Sequence, residues 1–419
     1  MDGRYWRLWM ASTISNLGDG VSIAAFPLLA ASLTRDPFLL SLLGIAQFLP
    51  WLLFSLVAGA LVDRWDRRLV MWRVDVFRAA VVGGLALLVA VDRANLPLIF
   101  AAAFVLGTAE TLFDNASQAI LPSLVERPLL PKANGRLYAG QIVANEFAGP
   151  PLGGLLFAGA AATPFFLDAG SFVGAAVMVA FLPGNYRADR ARAAPSDAGA
   201  TAVLREIRGD IAEGLRWLWH HRVLRTLALV LGAINLMYQA AIVILVLFAQ
   251  DILGLGAAGY GLLITCCAVG SVVGSLVGER LIGRVGSGVS LGASLIIMGG
   301  CQATIGALSV AWQVGLFFLV IGFWTVVWNV ITVSLRQSII PDALLGRVNS
   351  AYRFIGWGAI PIGSLVGGLI ADNFGLRAPF VAGGLGTIAM AALMAPIVNT
   401  RTIQAAQDEA DATAAPAAT

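Results

Sequence analysis

Twelve mostly apolar runs follow one another along the chain, separated by short polar breaks. They cover roughly 8–33, 38–62, 70–91, 97–119, 136–159, 163–183, 223–250, 258–279, 288–309, 311–335, 352–374 and 378–398. A helix needs about 20 apolar residues to cross a bilayer core, so each run predicts one span, several of them tilted. The runs are continuous and do not alternate with period two, which selects helices over barrel strands. Three stretches break the pattern: a tip at 120–135, an arginine-rich insert at 184–222, and an Ala/Asp/Glu tail. Within the insert, Leu204, Ile207, Ile211, Leu215 and Leu218 fall on one side of an amphipathic cytoplasmic helix. The predicted organisation is an N-terminal six-helix bundle (1–183), a cytoplasmic linker with that helix (184–222), a C-terminal six-helix bundle (223–398) and a disordered cytoplasmic tail (399–419).

Composition removes other classes. Of 419 residues, 58% are hydrophobic and 12% charged, with a mean hydropathy of +0.83. A soluble enzyme, a disordered chain and a fibre are all excluded. The basic residues, one lysine and 26 arginines, set the orientation. With the N-terminus inside, 23 of them fall in cytoplasmic segments. Only Arg35, Arg93 and Arg377 fall outside, and Arg78 lies within a helix. Both termini are therefore expected in the cytoplasm, and the first span is read as an uncleaved signal. Cys266, Cys267 and Cys301 lie in apolar segments with no disulfide or metal spacing, and His220 and His221 suit a helix surface. No nucleotide loop, Ser–His pair or metal motif is found, so neither a cofactor nor an enzymatic activity is expected, and no nucleic-acid partner.

The chain also repeats itself. Gln118–Pro122 (QAILP) returns as Gln337–Pro341 (QSIIP), Asn134 as Asn349, Gly153-Gly154-Leu155 as Gly367-Gly368-Leu369, and Asp63-Arg64 as Glu279-Arg280, at offsets of 214 to 219 residues. A duplicated six-helix unit, its halves parallel, accounts for that order.

Ionisable groups inside a span are costly and are functional candidates. Counting 1.5 Å per residue puts Asp19 ~16 Å into span 1, Glu110 ~20 Å into span 4 and Glu146 ~15 Å into span 5. Ser12, Ser15, Asn16, Asp19 and Ser22 make a polar stripe on span 1. Asp19, Glu110 and Glu146 form the expected proton-coupling set, because a buried acid that binds a proton in one conformation and releases it in another links proton flow to shape. Asp168, nearer the outer end of span 6, is set apart from them.

The break after span 2 reads Gly59-Ala60-Leu61-Val62-Asp63-Arg64-Trp65-Asp66-Arg67-Arg68. It resembles the loop signature G-x-L-x-D-R-x-G-R-R of the major facilitator superfamily, with Asp66 in place of glycine. That variant, with Asp75 and Arg78 on the next helix and Leu17-Gly18-Asp19-Gly20 on the first, is similar to the third drug:proton antiporter family, which includes enterobactin and macrolide exporters. Gly149-Pro150-Pro151-Leu152-Gly153-Gly154 resembles the antiporter motif G-x-x-x-G-P-x-x-G-G, with Asn145 at its first glycine.

The resemblance implies an all-α membrane protein of twelve spans in two pseudo-symmetric bundles. It implies a monomeric secondary transporter of the bacterial inner membrane that exports small amphiphilic compounds, drugs or a siderophore, with protons and membrane lipid as its other partners. Gly59, Asp63, Arg64, Arg67, Arg68, Asp75, Arg78 and Asp114 would then gate the cytoplasmic side, and Gly149, Pro150, Gly153 and Gly154 would seal against leak. Spans 1, 4, 7 and 10 line the cavity in that superfamily. This makes Asn16, Asn235, Gln239, Trp324, Trp328 and Asn329 the expected substrate-binding residues. A facilitator or importer of a polar solute is the competing reading, and a non-transporting signalling protein the one from another class.

Overall fold

The computed structural model describes residues 3–62, 65–184, 186, 209 and 212–414, and among them it is helical throughout, without strands. The long helices are α1 (Gly3–Leu33), α2 (Pro37–Val62), α3 (Arg67–Ala90), α4 (Leu96–Ile120), α5 (Leu130–Gly159, in three pieces) and α6 (Thr163–Ala180). After them come α7 (Arg222–Ile242), α8 (Ala257–Val285), α9 (Ser287–Ala307), α10 (Ala311–Ile339), α11 (Asp342–Phe374), α12 (Ala378–Met394) and α13 (Thr400–Ala414). Among the described residues, nine helices are long and apolar enough to cross a membrane. The other three candidates are α3, which carries Asp75 and Arg78 in its middle, the divided α5, and α12, which is apolar but shorter.

Contacts divide the chain into two compact units, the first taking in Ala249–Thr265 as well as the N-terminal helices. Within unit 1, α1 packs on α5 and α6, α2 on α4, and α3 on α4 and α6. Within unit 2, α7 packs on α11 and α12, and α9 on α10 and α12. The pairing scheme of one half thus returns in the other six helices later. Its counterpart of the α2–α4 contact is made by Gly270 and Gly322, each against the backbone of the facing helix of the α8–α10 pair.

Helix α5 shows how local chemistry shapes a span. Residues Leu130–Gln141 are α-helical, Ile142–Ala148 are π-helical and Gly149–Gly159 return to α. Pro150 and Pro151 have no N–H for the carbonyls four residues back, so the regular ladder fails just before them. The Gly149 N–H reaches back five residues to the Ala144 carbonyl, the wider bonding of a π turn. Glycines on α1 and α5 let the two backbones touch: a Cβ on Gly20 would lie 2.5 Å from the Asn145 carbonyl oxygen, and one on Gly149 would overlap the Cα of Gly20. Gly153 meets the Val21 backbone in the same way.

Helix α3 begins with Asp66, whose carboxylate accepts from the N–H groups of Arg68 and Leu69. The residue that departs from the loop signature is therefore a helix cap. Arg67 donates to the Ala119 carbonyl (2.8 Å) at the end of α4, and Arg68 to the Leu182 carbonyl (2.8 Å) just beyond α6. Asp63 and Arg64 lie outside the described residues.

The insert between the halves keeps a helix over 212–220, with Leu218 buried and Leu215 exposed. Arg347 donates to Glu213 (2.7 Å), and Gly214 packs on the Arg347 carbonyl. Leu204, Ile207 and Ile211 fall outside the described residues.

The expected disordered tail is corrected in part: residues 400–414 form α13. Asn399 caps it, its side-chain oxygen accepting from Arg401 and Thr402 (3.1 Å each), while its own N–H donates to Thr402 Oγ1 (3.0 Å). Ile403 and Ala406, three residues apart, are buried, and Gln407 bonds Ser338 of α10 (3.2 Å). Two small apolar residues at helical spacing anchor an otherwise polar helix. Asn399→Ala is expected to cost α13 about 1 kcal/mol, read as faster amide exchange across 400–414 with no change elsewhere.

Candidate functional site

Four helices of unit 1 bring charge together in its interior. Arg78 on α3 is 2% exposed, and its Nη2 donates to Asp19 Oδ1 of α1 at 2.5 Å. One turn back on α3, Asp75 is fully buried and places Oδ1 3.8 Å from Arg78 Nη1. The guanidinium carbon stands 4.0 Å from the centre of the Phe172 ring on α6 and 5.8 Å from that of Phe113 on α4, so aromatic faces shield the cation from the apolar surroundings. Glu110 on α4 and Asp168 on α6 lie within electrostatic reach of the same guanidinium and of Asp19. Asp114, half-buried one turn from Glu110, extends the acidic face of α4.

Asp168 is 1% exposed. Its Oδ2 accepts from Ser22 Oγ of α1, and Ser171 Oγ donates to its backbone carbonyl (2.7 Å). Gly18 makes room for it: a Cβ there would strike both Ser171 and Asp168. Depth counting placed Asp168 toward the outer end of span 6, yet it joins the cluster, because Ser22 lies only one helical turn beyond Asp19. Helix α1 reads Gly18, Asp19 and Ser22 in one turn. Small and hydroxyl residues beside a buried acid were the signal for a polar partner on the neighbouring helix.

The three acids expected to work together therefore separate. Asp19 and Glu110 belong to the Arg78 cluster. Glu146 lies in the π-helical part of α5 and is exposed, without a hydrogen bond or ion pair to any described residue. The local polar stripe on α1 also divides: Ser12 and Ser15 are buried with hydroxyls lacking a hydrogen-bond partner among the described residues, while Asn16 donates to the Ser12 carbonyl (2.6 Å).

In unit 2, the expected binding residues take up varied positions. Asn235 donates to the Gly356 carbonyl (2.8 Å) and Gln239 to Ser364 Oγ (3.2 Å), so both tie α7 to α11. Trp328 is buried with its indole N–H unpartnered among the described residues, Trp324 is half-buried edge-on to Phe323, and Asn329 is exposed. Of the antiporter motif, Gly149 and Gly153 press on α1, and Gly154 presses on the Ala257 carbonyl, within unit 1. Arg35 reaches the same Ala249–Thr265 segment, donating to Gln250 Oε1 at 2.5 Å and lying 3.3 Å from Asp251.

A family model described as transmembrane secretion effector matches residues 3–418. The chain belongs to this family of major facilitator transporters. Among curated proteins, the multidrug efflux pump Tap of Mycolicibacterium fortuitum is 28% identical over 388 residues, covering 89% of this chain and 90% of that one. Tap of Mycobacterium tuberculosis strain H37Rv is also 28% identical, over 91% of this chain and 90% of its own. Macrolide efflux protein A of Streptococcus pyogenes is 25% identical, over 94% and 96%.

The fold is shared with the nucleoside transporter NupG (TM-score 0.73, 11% identity, 94% of this chain and 100% of that one). It is shared also with a bacterial homologue of the iron transporter ferroportin (TM-score 0.69, 17% identity, 94% and 98%). These relatives are transporters, not enzymes, and the chain is a multi-pass membrane transporter of the drug-efflux kind.

Proposed function

We propose that this transporter exports small amphiphilic compounds, drugs or siderophores, in exchange for protons, and works by alternating access. In this reading it is a monomer of the bacterial inner membrane, α1 to α12 all span the bilayer, and both termini are cytoplasmic. One observation carries the coupling: a single guanidinium, Arg78, is surrounded by Asp19, Asp75, Glu110 and Asp168 on four converging helices. Four carboxylates against one cation leave an excess of negative charge in a lipid-buried interior. That excess is relieved by binding protons, and any movement of α1 or α4 relative to Arg78 changes how many are held. Asp19, half-buried and directly paired with Arg78, is the acid best placed to exchange its proton. The antiporter-motif glycines support a tight seam between α1 and α5, where backbone contact excludes ions. Efflux by the Tap and macrolide pumps supports the direction of transport and the substrate class.

The test uses inverted membrane vesicles containing the full chain and an imposed proton gradient. Accumulation of an amphiphilic dye or macrolide that rises with the gradient and collapses on adding a protonophore is the expected result. Accumulation that ignores the protonophore would remove proton coupling from the reading.

A further inference from the structure

Three helices meet at one end of unit 1, and two arginines join them. Helix α6 stops short of Pro183, which has no N–H to offer, so its last carbonyls need donors from elsewhere. Arg7 of α1 donates from Nη1 to the Phe181 carbonyl (3.2 Å), and Arg68 of α3 donates from Nη1 to the Leu182 carbonyl (2.8 Å). Neighbouring carbonyls thus draw two guanidiniums to one spot. The helix end offers them about half a negative charge, and each guanidinium has further N–H donors to spend. Arg68 Nε is buried without a hydrogen-bond partner among the described residues. Neither arginine makes an ion pair with a described residue. Asp66, two residues before Arg68, is taken up in capping α3.

Arg73 adds a third cation. It is exposed on α3, about 8 Å farther along the axis than Arg68. Its guanidinium carbon lies 5.6 Å from the centre of the Trp72 ring, and it too has no ion pair to a described residue. The rest of that side is apolar. Val76, Phe77 and Leu87 follow Arg73 on the exposed face of α3, and Val173, Val177 and Phe181 form the matching row on α6. Phe181 is 73% exposed. The two helices stay in contact between these rows, since a Cβ on Gly83 would lie 3.7 Å from that of Ala169. Rows of exposed apolar side chains suit acyl chains, and arginines with a tryptophan at their end mark the level of phospholipid headgroups.

We propose that Arg7, Arg68 and Arg73 bind the phosphate of an anionic phospholipid whose acyl chains lie along the exposed rows of α3 and α6. The assignment rests on the reading that both helices span the bilayer, and it concerns the surrounding lipid, not the cargo. Arg7 and Arg68 hold phosphate oxygens with the donors that capping α6 leaves over, and Arg73 reaches back to the headgroup level across Trp72. A zwitterionic lipid fits less well, because its ammonium group would meet surplus positive charge. The bound headgroup ties together the ends of α1, α3 and α6, the helices that carry Asp19, Arg78 and Asp168. Lipid at this end therefore bears on how readily the buried charge cluster opens.

The experiment is native mass spectrometry of the purified, delipidated full-length protein given equal amounts of phosphatidylglycerol and phosphatidylcholine with the same acyl chains. Wild type is expected to retain phosphatidylglycerol about tenfold or more over phosphatidylcholine. Arg7→Gln and Arg73→Gln should each lower that preference about fivefold and leave phosphatidylcholine unchanged. Arg73 caps nothing, so its variant serves even if Arg7→Gln fails to fold, and Arg73→Lys should keep the preference. Arg353→Gln, an exposed arginine of α11, is the control and should stay within about twofold of wild type. Equal retention of the two lipids by wild type overturns the assignment, as does an equal fall in Arg353→Gln. Displacement of the lipid by millimolar inorganic phosphate overturns it too, since the apolar rows would then contribute nothing. Val76→Cys, in a chain carrying Cys266→Ser, Cys267→Ser and Cys301→Ser, separates this site from the reading beneath it. Labelling by a membrane-impermeant maleimide would put α3 in water and remove both. A protected cysteine in a protein without lipid preference would remove this site alone.

Discussion

Asp19→Asn is expected to reduce gradient-driven efflux to background while leaving a folded protein that still binds its substrate. Asparagine keeps the shape of the side chain and an oxygen to accept from Arg78 Nη2, so the 2.5 Å contact has a successor. What it lacks is a proton to exchange. Arg78 remains within electrostatic reach of Asp75, Glu110 and Asp168, so its burial is still compensated. Arg78→Gln makes the contrast. It strips the buried guanidinium from four acids, and breaking a buried pair from one side costs about 3–5 kcal/mol. The first variant should therefore fail in transport at near wild-type thermal stability, and the second should fail in both. Retention of uphill transport by Asp19→Asn across the pH range would remove Asp19 from the coupling mechanism.

The second large effect concerns packing. Gly149→Val is expected to destabilise unit 1 by at least the ~1–3 kcal/mol of ordinary overpacking. The obstacle is backbone, since the new Cβ would land on Gly20, and backbone does not rotate out of the way. Helices α1 and α5 would separate, and with them the close contact that Gly153 makes on Val21. Gly170→Ala is the control: nothing lies within 4 Å of a Cβ there, so it should be neutral or slightly stabilising. The measurement is the melting temperature in detergent together with the yield of monodisperse protein. A Gly149→Val protein that melts with wild type would mean the two helices do not meet as closely as described.

How much of this was legible in the residues depended on which coordinate was being read. Distance along a helix was legible, because 1.5 Å per residue holds across any span; Asp19 and Glu110 therefore came out at compatible depths and do share a cluster. Direction around a helix was not. Glu146 is turned away from the cluster by a π segment that follows from two prolines, and the sequence reading treated Pro150 only as a bend. Asp168 was passed over because depth was taken as the criterion, whereas the long arm of Arg78 reaches acids at several levels and Gly18 admits a carboxylate from α6. The tail was read by composition, which misses that Ile403 and Ala406 need only fall on one side of a capped helix. The amides Asn235 and Gln239 lie at cavity-lining positions by family resemblance, but both are engaged in holding α7 to α11.

The π turn of α5 carries a consequence for divergence among such pumps. A turn closed over five residues instead of four holds one residue that a regular helix would not, and deleting a single codon between Ile142 and Ala148 would let the segment relax to α-helical winding. Everything upstream, Tyr138 included, would then swing by roughly a quarter-turn against Glu146, with no change in the identity of either residue. A single-residue deletion thus changes which side chains α5 presents together while leaving Tyr138 and Glu146 in the chain, a change that comparison of residue identities alone overlooks.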